Sequence, residues 1–67
     1  MRVSRTESLK RDAERVARWM TKARMKKVRI VGARGFWTII ASGTARQLAA
    51  FAAREARYYL DSELASL

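Results

Sequence analysis

The chain has 67 residues and a formal net charge of +9, and it contains neither Cys nor His. A domain of this length buries only about 60% of the surface that its unfolded chain exposes, so its margin of stability is small. Without Cys and His there are no disulfides, no thiolate metal sites and none of the usual catalytic triads. We therefore expect one small basic domain over residues 1–67, with no cofactor and no metal.

The charge is divided unequally along the chain. Residues 1–34 hold twelve bases and three acids, a sum of +9, and residues 35–67 hold three of each, a sum of zero. Such asymmetry indicates a polyanionic or acidic partner on one side of the protein. No apolar run approaches the roughly 18 residues of a membrane span, and the N-terminal segment lacks the apolar core of a secretory signal. These features predict a cytoplasmic protein that is not an integral membrane protein.

The first predicted element is a helix over residues 5–24. Ser4 and Glu7 have the spacing of a capping box, in which each side chain bonds the other residue's backbone N–H. Arg24 would fall on the apolar face of this helix, so the helix is expected to end near it. That face is formed by apolar residues that recur at helical spacing, namely Leu9, Ala13, Val16, Ala17, Met20 and Ala23.

Two strands are predicted next, over residues 27–31 and 36–41. The first alternates polar and apolar residues, and the second is rich in β-branched and aromatic residues. Gly32 and Gly35 bracket the expected turn, so the strands should pair as an antiparallel hairpin. A lone hairpin is marginal unless helices pack on it, and its two edges stay unpaired. A homodimer that covers an edge or the second helix is therefore a further expectation.

A second helix is predicted over residues 45–64, after a second capping box formed by Thr44 and Gln47. Its expected apolar arc is broad and rich in alanine, and Phe51 and Tyr58 form an aromatic edge beside it. The arc comprises Leu48, Ala49, Ala52, Ala53, Ala56, Tyr59 and Leu60. The predicted class is α+β, with two helices packed on a β-hairpin in the order α-β-β-α.

Catalysis is not expected, because the six acids are scattered along the chain. Glu55 interrupts the apolar side of the second helix, and we expect it to pair with a basic group of the first helix or the hairpin. The segment Gly32–Gly35 lacks the spacing and the Lys-Ser/Thr pair of a phosphate-binding loop. The sequence therefore predicts a non-enzymatic binding protein.

Eight bases form the predicted binding surface. Lys and Arg on one face can neutralise phosphates with a salt-dependent affinity, so nucleic acid is the first expected partner. Four of the bases span roughly 16 Å on the first helix, and four follow them along the chain with no acid between. They are Arg11, Arg15, Arg18 and Lys22, followed by Lys26, Lys27, Arg29 and Arg34.

Arg34 and several aromatic side chains are candidates for more specific contacts with nucleic acid or a partner. Arg34 at the hairpin tip can enter a groove of DNA, as an alternative to a simple exposed turn residue. Trp19 and Tyr58 are candidates for stacking on nucleic-acid bases or for a protein interface, and Phe36 and Trp37 are further candidates for stacking; the alternative is that these aromatic side chains pack in the core.

Two other function classes stay open from the sequence. The bases and aromatics also suit an interaction module or small inhibitor, for example one encoded by a phage or mobile element, that binds an acidic surface of a nucleic-acid-processing complex. The basic amphipathic first helix, with Trp19 at its border, is also typical of helices that lie on a membrane surface. The plain alternative is that the charged face only keeps the protein soluble.

Overall fold

The computed structural model describes residues 1–65 as three strands and two helices in the order β-α-β-β-α. The elements are β1 (Arg2–Glu7), α1 (Lys10–Lys22), β2 (Lys26–Ala33), β3 (Phe36–Ser42) and α2 (Ala45–Ala65). The predicted α+β class is confirmed. The order differs from the predicted α-β-β-α because an additional strand precedes α1.

Strand β1 takes the first three residues of the predicted first helix, Arg5, Thr6 and Glu7, together with the three residues before them. Strand β1 pairs with β3 without interruption, from Arg2 opposite Ser42 to Glu7 opposite Trp37. The capping box predicted for Ser4 is therefore wrong, and α1 begins at Lys10 behind an N-cap that makes no side-chain bond. An N-cap contributes only about 1 kcal/mol, whereas the strand satisfies a whole row of backbone groups and buries Val3.

Helix α1 ends close to the predicted position, through a left-handed residue. Arg24 has φ 64°, a conformation that glycine usually supplies. The N–H of Met25 bonds the carbonyl of Met20 at 3.0 Å, and the N–H of Arg24 bonds that of Thr21 at 2.9 Å. These two bonds are those of a Schellman motif, and its usual apolar contact is formed by the buried Met20 and Met25.

The hairpin is longer than predicted, and its tip is only Arg34–Gly35. Gly32, expected in the turn, lies within β2 opposite Trp37 with φ 135°. A Cβ at this position would stand 2.3 Å from the carbonyl oxygen of Phe36, so only glycine fits there. At the other end of β2, a bulge between Lys26 and Arg29 interrupts the register, and Lys27 within it has φ 56°.

The sheet has the order β1-β3-β2, and both pairings are antiparallel. Alternate residues of each strand therefore share a face. Residues of one face, such as Val3, Ile39 and Ala41, enter the core beneath the helices. Helix α1 covers this face with the buried residues of its apolar stripe, Ala13, Val16 and Met20. The opposite face of the sheet carries no helix in the described residues.

Helix α2 has the predicted start and capping box. The N–H of Thr44 bonds Oε1 of Gln47 at 2.9 Å, and the N–H of Gln47 bonds Oγ1 of Thr44 at 3.2 Å. Gln47 Nε2 also donates to the carbonyl of Arg24 at 3.0 Å, which joins the start of α2 to the end of α1. The helix turns Phe51, fully buried, toward the core, and the alanine-rich arc predicted to pack is mostly exposed.

Candidate nucleic-acid interface

The uncovered face of the sheet is built from three rows of residues that lie opposite one another across the strands. The rows follow from the register of β1, β3 and β2. They are given in order from the end of the sheet where β1 and β2 begin toward the hairpin tip. They are Arg2, Ser42 and Lys26; Ser4, Ile40 and Arg29; and Thr6, Thr38 and Val31. We call this surface the open face.

The open face is basic at the end where β1 and β2 begin. Arg2, Lys27 and Arg29 border a shallow depression whose floor includes Ile40 and Ser42. All three bases are exposed, and the bulge in β2 places Lys27 in this border. At the opposite end of β2, Arg34 is exposed on the hairpin tip. Basic side chains therefore stand at both ends of this surface, and the rows between them carry hydroxyl and apolar side chains together with Arg29.

No acid lies on the open face. All six acids of the chain fall within the described residues: Glu7 on the covered face of β1, two in α1 and three in α2. Five bases lie on the open-face side of the sheet or at the hairpin tip, namely Arg2, Lys26, Lys27, Arg29 and Arg34. The open-face side therefore carries +5 with no acid. The other ten bases and all six acids give the helical side a charge of +4.

The structure divides the eight predicted binding bases between two opposite surfaces. Arg11, Arg18 and Lys22 are exposed on α1, on the side that faces away from the sheet. Lys26, Lys27, Arg29 and Arg34 belong to β2 and the tip, on the side of the open face. The expected continuous surface across the first helix and strand is therefore two surfaces, because α1 lies on the covered face.

Arg15 is held within the molecule. Its Nη2 bonds Oδ1 of Asp12 at 2.9 Å, its Nη1 donates to the hydroxyl of Tyr58, and its guanidinium lies 4.7 Å from the centre of the Tyr58 ring. These contacts join α1 to α2 and occupy the guanidinium. Arg15 is thus less able to bind an external phosphate than its exposed neighbours on α1.

Trp19 and Tyr58 pack on each other between α1 and α2. Their ring centres are 5.1 Å apart, and Tyr59 meets Tyr58 edge-on at 5.5 Å. Burial, followed by the charges of Glu7 and Glu55, raises the pKa of Tyr59 above its ordinary value of 10.0. This cluster serves the contact between the helices, and it lies on the side of the sheet away from the open face.

Glu55 pairs with a base, as predicted, although the base comes from β1. Nε of Arg5 bonds Oε2 of Glu55 at 3.0 Å, and the Arg5 guanidinium lies 5.2 Å from the centre of the Phe51 ring. The pair joins the covered face of β1 to α2. In residues 1–65, no cluster of three potential metal ligands is found, and no helix there is long and apolar enough to cross a membrane.

Arg2 is the functional candidate that sequence reasoning missed, together with the hydroxyls of Ser4 and Thr6 beside it. The available signal was composition: Val3 and Thr6 are β-branched residues, which favour a strand, and neither is a strong helix former.

The chain matches no protein-family model, no curated protein and no solved structure.

Proposed function

We propose that this protein is a non-enzymatic nucleic-acid-binding protein that contacts the phosphate backbone, and that the open face supplies most of the contacts. Lys and Arg side chains that neutralise phosphates release condensed counterions, and this release drives association. Such contacts position the protein on the polymer without reading its sequence.

The observation that carries the proposal is the separation of charge between the two sides of the sheet. The five bases of the open face and the tip have no acid among them. Unopposed positive charge on one surface raises the local concentration of a polyanion and increases its association rate. On α1, by contrast, Glu14 stands among the exposed bases, and Asp12 and Tyr58 hold Arg15. The exposed bases of α1 therefore contribute less.

The test is a binding titration of the whole chain against labelled random-sequence duplex DNA, single-stranded DNA and RNA over a salt series. Contacts to five phosphates predict a slope of log affinity against log salt near −4.5 for a duplex, since each contact contributes about −0.9. Affinity should fall a few hundredfold between about 50 and 200 mM salt. Absence of binding to all three polymers at about 50 mM salt would contradict the proposal, and an acidic protein partner would then be the better hypothesis.

A further inference from the structure

We infer that the open face enters the major groove of duplex DNA and that Arg29 reads guanine there. This inference rests on the proposed function and names its ligand. A surface that binds only phosphates needs only Lys and Arg side chains. The open face instead has Lys and Arg side chains at its ends, and hydroxyl and apolar side chains between them.

The dimensions of the sheet suit the groove. Strands lie about 4.8 Å apart, so the axes of β1 and β2 are separated by roughly 10 Å across β3. The major groove of B-DNA is about 12 Å wide, and sheets and ribbons are among the elements that enter it. The eight residues of β2 extend over about 27 Å. The strands are therefore expected to run along the groove, with the Lys and Arg side chains at either end of the sheet near phosphates.

The side chains in the middle of the open face are those that contact base edges. Arg29 lies opposite Ile40, which in turn lies opposite Ser4. Arg binds O6 and N7 of guanine with two hydrogen bonds, hydroxyls bond several bases, and apolar groups contact the thymine methyl. The following row, Thr6, Thr38 and Val31, adds two more hydroxyls and an apolar group.

Single strands and RNA duplexes fit this face less well. Binding of single strands relies on aromatic side chains on which bases stack. The register places only Phe36, beside the hairpin tip, toward the open face, whereas Trp37 lies on the covered face and Trp19, Tyr58 and Tyr59 belong to the helices. The major groove of an RNA duplex is too deep and narrow for side chains to read.

The experiment has two stages and uses the whole chain. Bound duplexes are first selected from a random-sequence library, and the enriched sequence is then methylated with dimethyl sulfate and tested for interference. This reagent methylates N7 of guanine in the major groove and N3 of adenine in the minor groove. We expect an enriched site with a guanine at which N7 methylation blocks binding, and no block from adenine N3.

Arg29→Lys tests the assignment of the reading residue, because it keeps the charge and loses the two-bond geometry. The variant should lose about 5- to 150-fold in preference for the critical guanine, with an unchanged salt slope. Arg18→Lys, on the outer side of α1, is the matched control and should keep the preference.

The outcomes separate this inference from the proposed function. Salt-dependent binding without an enriched sequence, interference confined to adenine N3, or tighter binding of single strands or RNA would each overturn the major-groove assignment. Phosphate binding would stand in all three cases. A preference that survives in Arg29→Lys, or that Arg18→Lys loses to the same extent, would overturn the assignment of Arg29. Failure to bind any nucleic acid would overturn both proposals.

Discussion

Phe51 is the residue whose truncation should most weaken the fold. Among the described residues of α2, Phe51 alone is buried, and its side chain is fully enclosed. Replacing a buried Phe with Ala costs about 3–5 kcal/mol, from lost transfer energy and the cavity left behind. At about 0.05–0.15 kcal/mol per residue, a chain of this length has a free energy of unfolding of about 3–10 kcal/mol. Phe51→Ala should therefore remove a third or more of the stability.

The assay is urea unfolding followed by tryptophan fluorescence and by circular dichroism at 222 nm. A loss of helix signal before the global transition would show that α2 detaches first, since an isolated helix of this length is marginal in water. Leu60→Ala in the same helix is the control, because Leu60 is 56% exposed and should change the stability by less than about 0.5 kcal/mol. A cost below about 1 kcal/mol for Phe51→Ala, or an equal cost for both variants, would refute this reasoning.

Three other predictions concern the backbone and the aromatic cluster. Gly32→Ala should destabilise by at least about 2 kcal/mol in urea unfolding, because its Cβ meets the Phe36 carbonyl, and Gly35→Ala, with open space around it, should cost less. Arg24→Gly should raise the free energy of unfolding by about 0.5–1 kcal/mol, since glycine adopts the positive φ without the side-chain clash; a loss of stability would contradict the assigned motif. The raised pKa of Tyr59 should appear in an absorbance titration at alkaline pH. The stability that this shift contributes is complete below the unfolded-state pKa near 10 and is lost as the pH rises through the folded-state pKa. Tyr59→Phe should therefore lose less stability in that range than the unmodified protein. Identical profiles of unfolding free energy against pH for the two proteins would count against the shift.

The parts of the fold that depend on neighbours in sequence were predictable. The capping box of Thr44 and Gln47 is formed as expected, and α2 begins where that signal places it. The hairpin also follows from local composition and a short turn. Strand β1 was not predictable in this way, because its partner β3 is about 35 residues away in sequence. A capping-box spacing at Ser4 and Glu7 gave a local signal that this distant pairing overrides.

The orientation of α2 shows a second limit of sequence patterns. The alanines define the longer apolar arc, yet the helix turns the single Phe51 inward and leaves Ala49, Ala53 and Ala56 exposed. A Phe buries far more apolar area than an Ala, and burial energy scales with that area. Counting apolar positions without weighting their size therefore gives the wrong face.

The candidate site was predicted in composition but not in arrangement. Lys27, Arg29 and Arg34 were identified from the run of bases with no acid between them. Their separation from Arg11 and Arg18 depends on which face of the sheet α1 covers, and that depends on the pairing of β1. Arg2 joins the site for the same reason, since its position opposite Ser42 exists only once β1 is a strand.

The most direct test compares two triple variants of equal charge in the salt series with duplex DNA. Arg2, Lys26 and Lys27 are replaced by Ala in one, and Arg11, Arg18 and Lys22 in the other, so both lose three positive charges. The open-face variant should make the slope less negative by about 2.7, and the α1 variant should change it far less. Equal changes, or a larger change in the α1 variant, would contradict the claim that the open face binds nucleic acid.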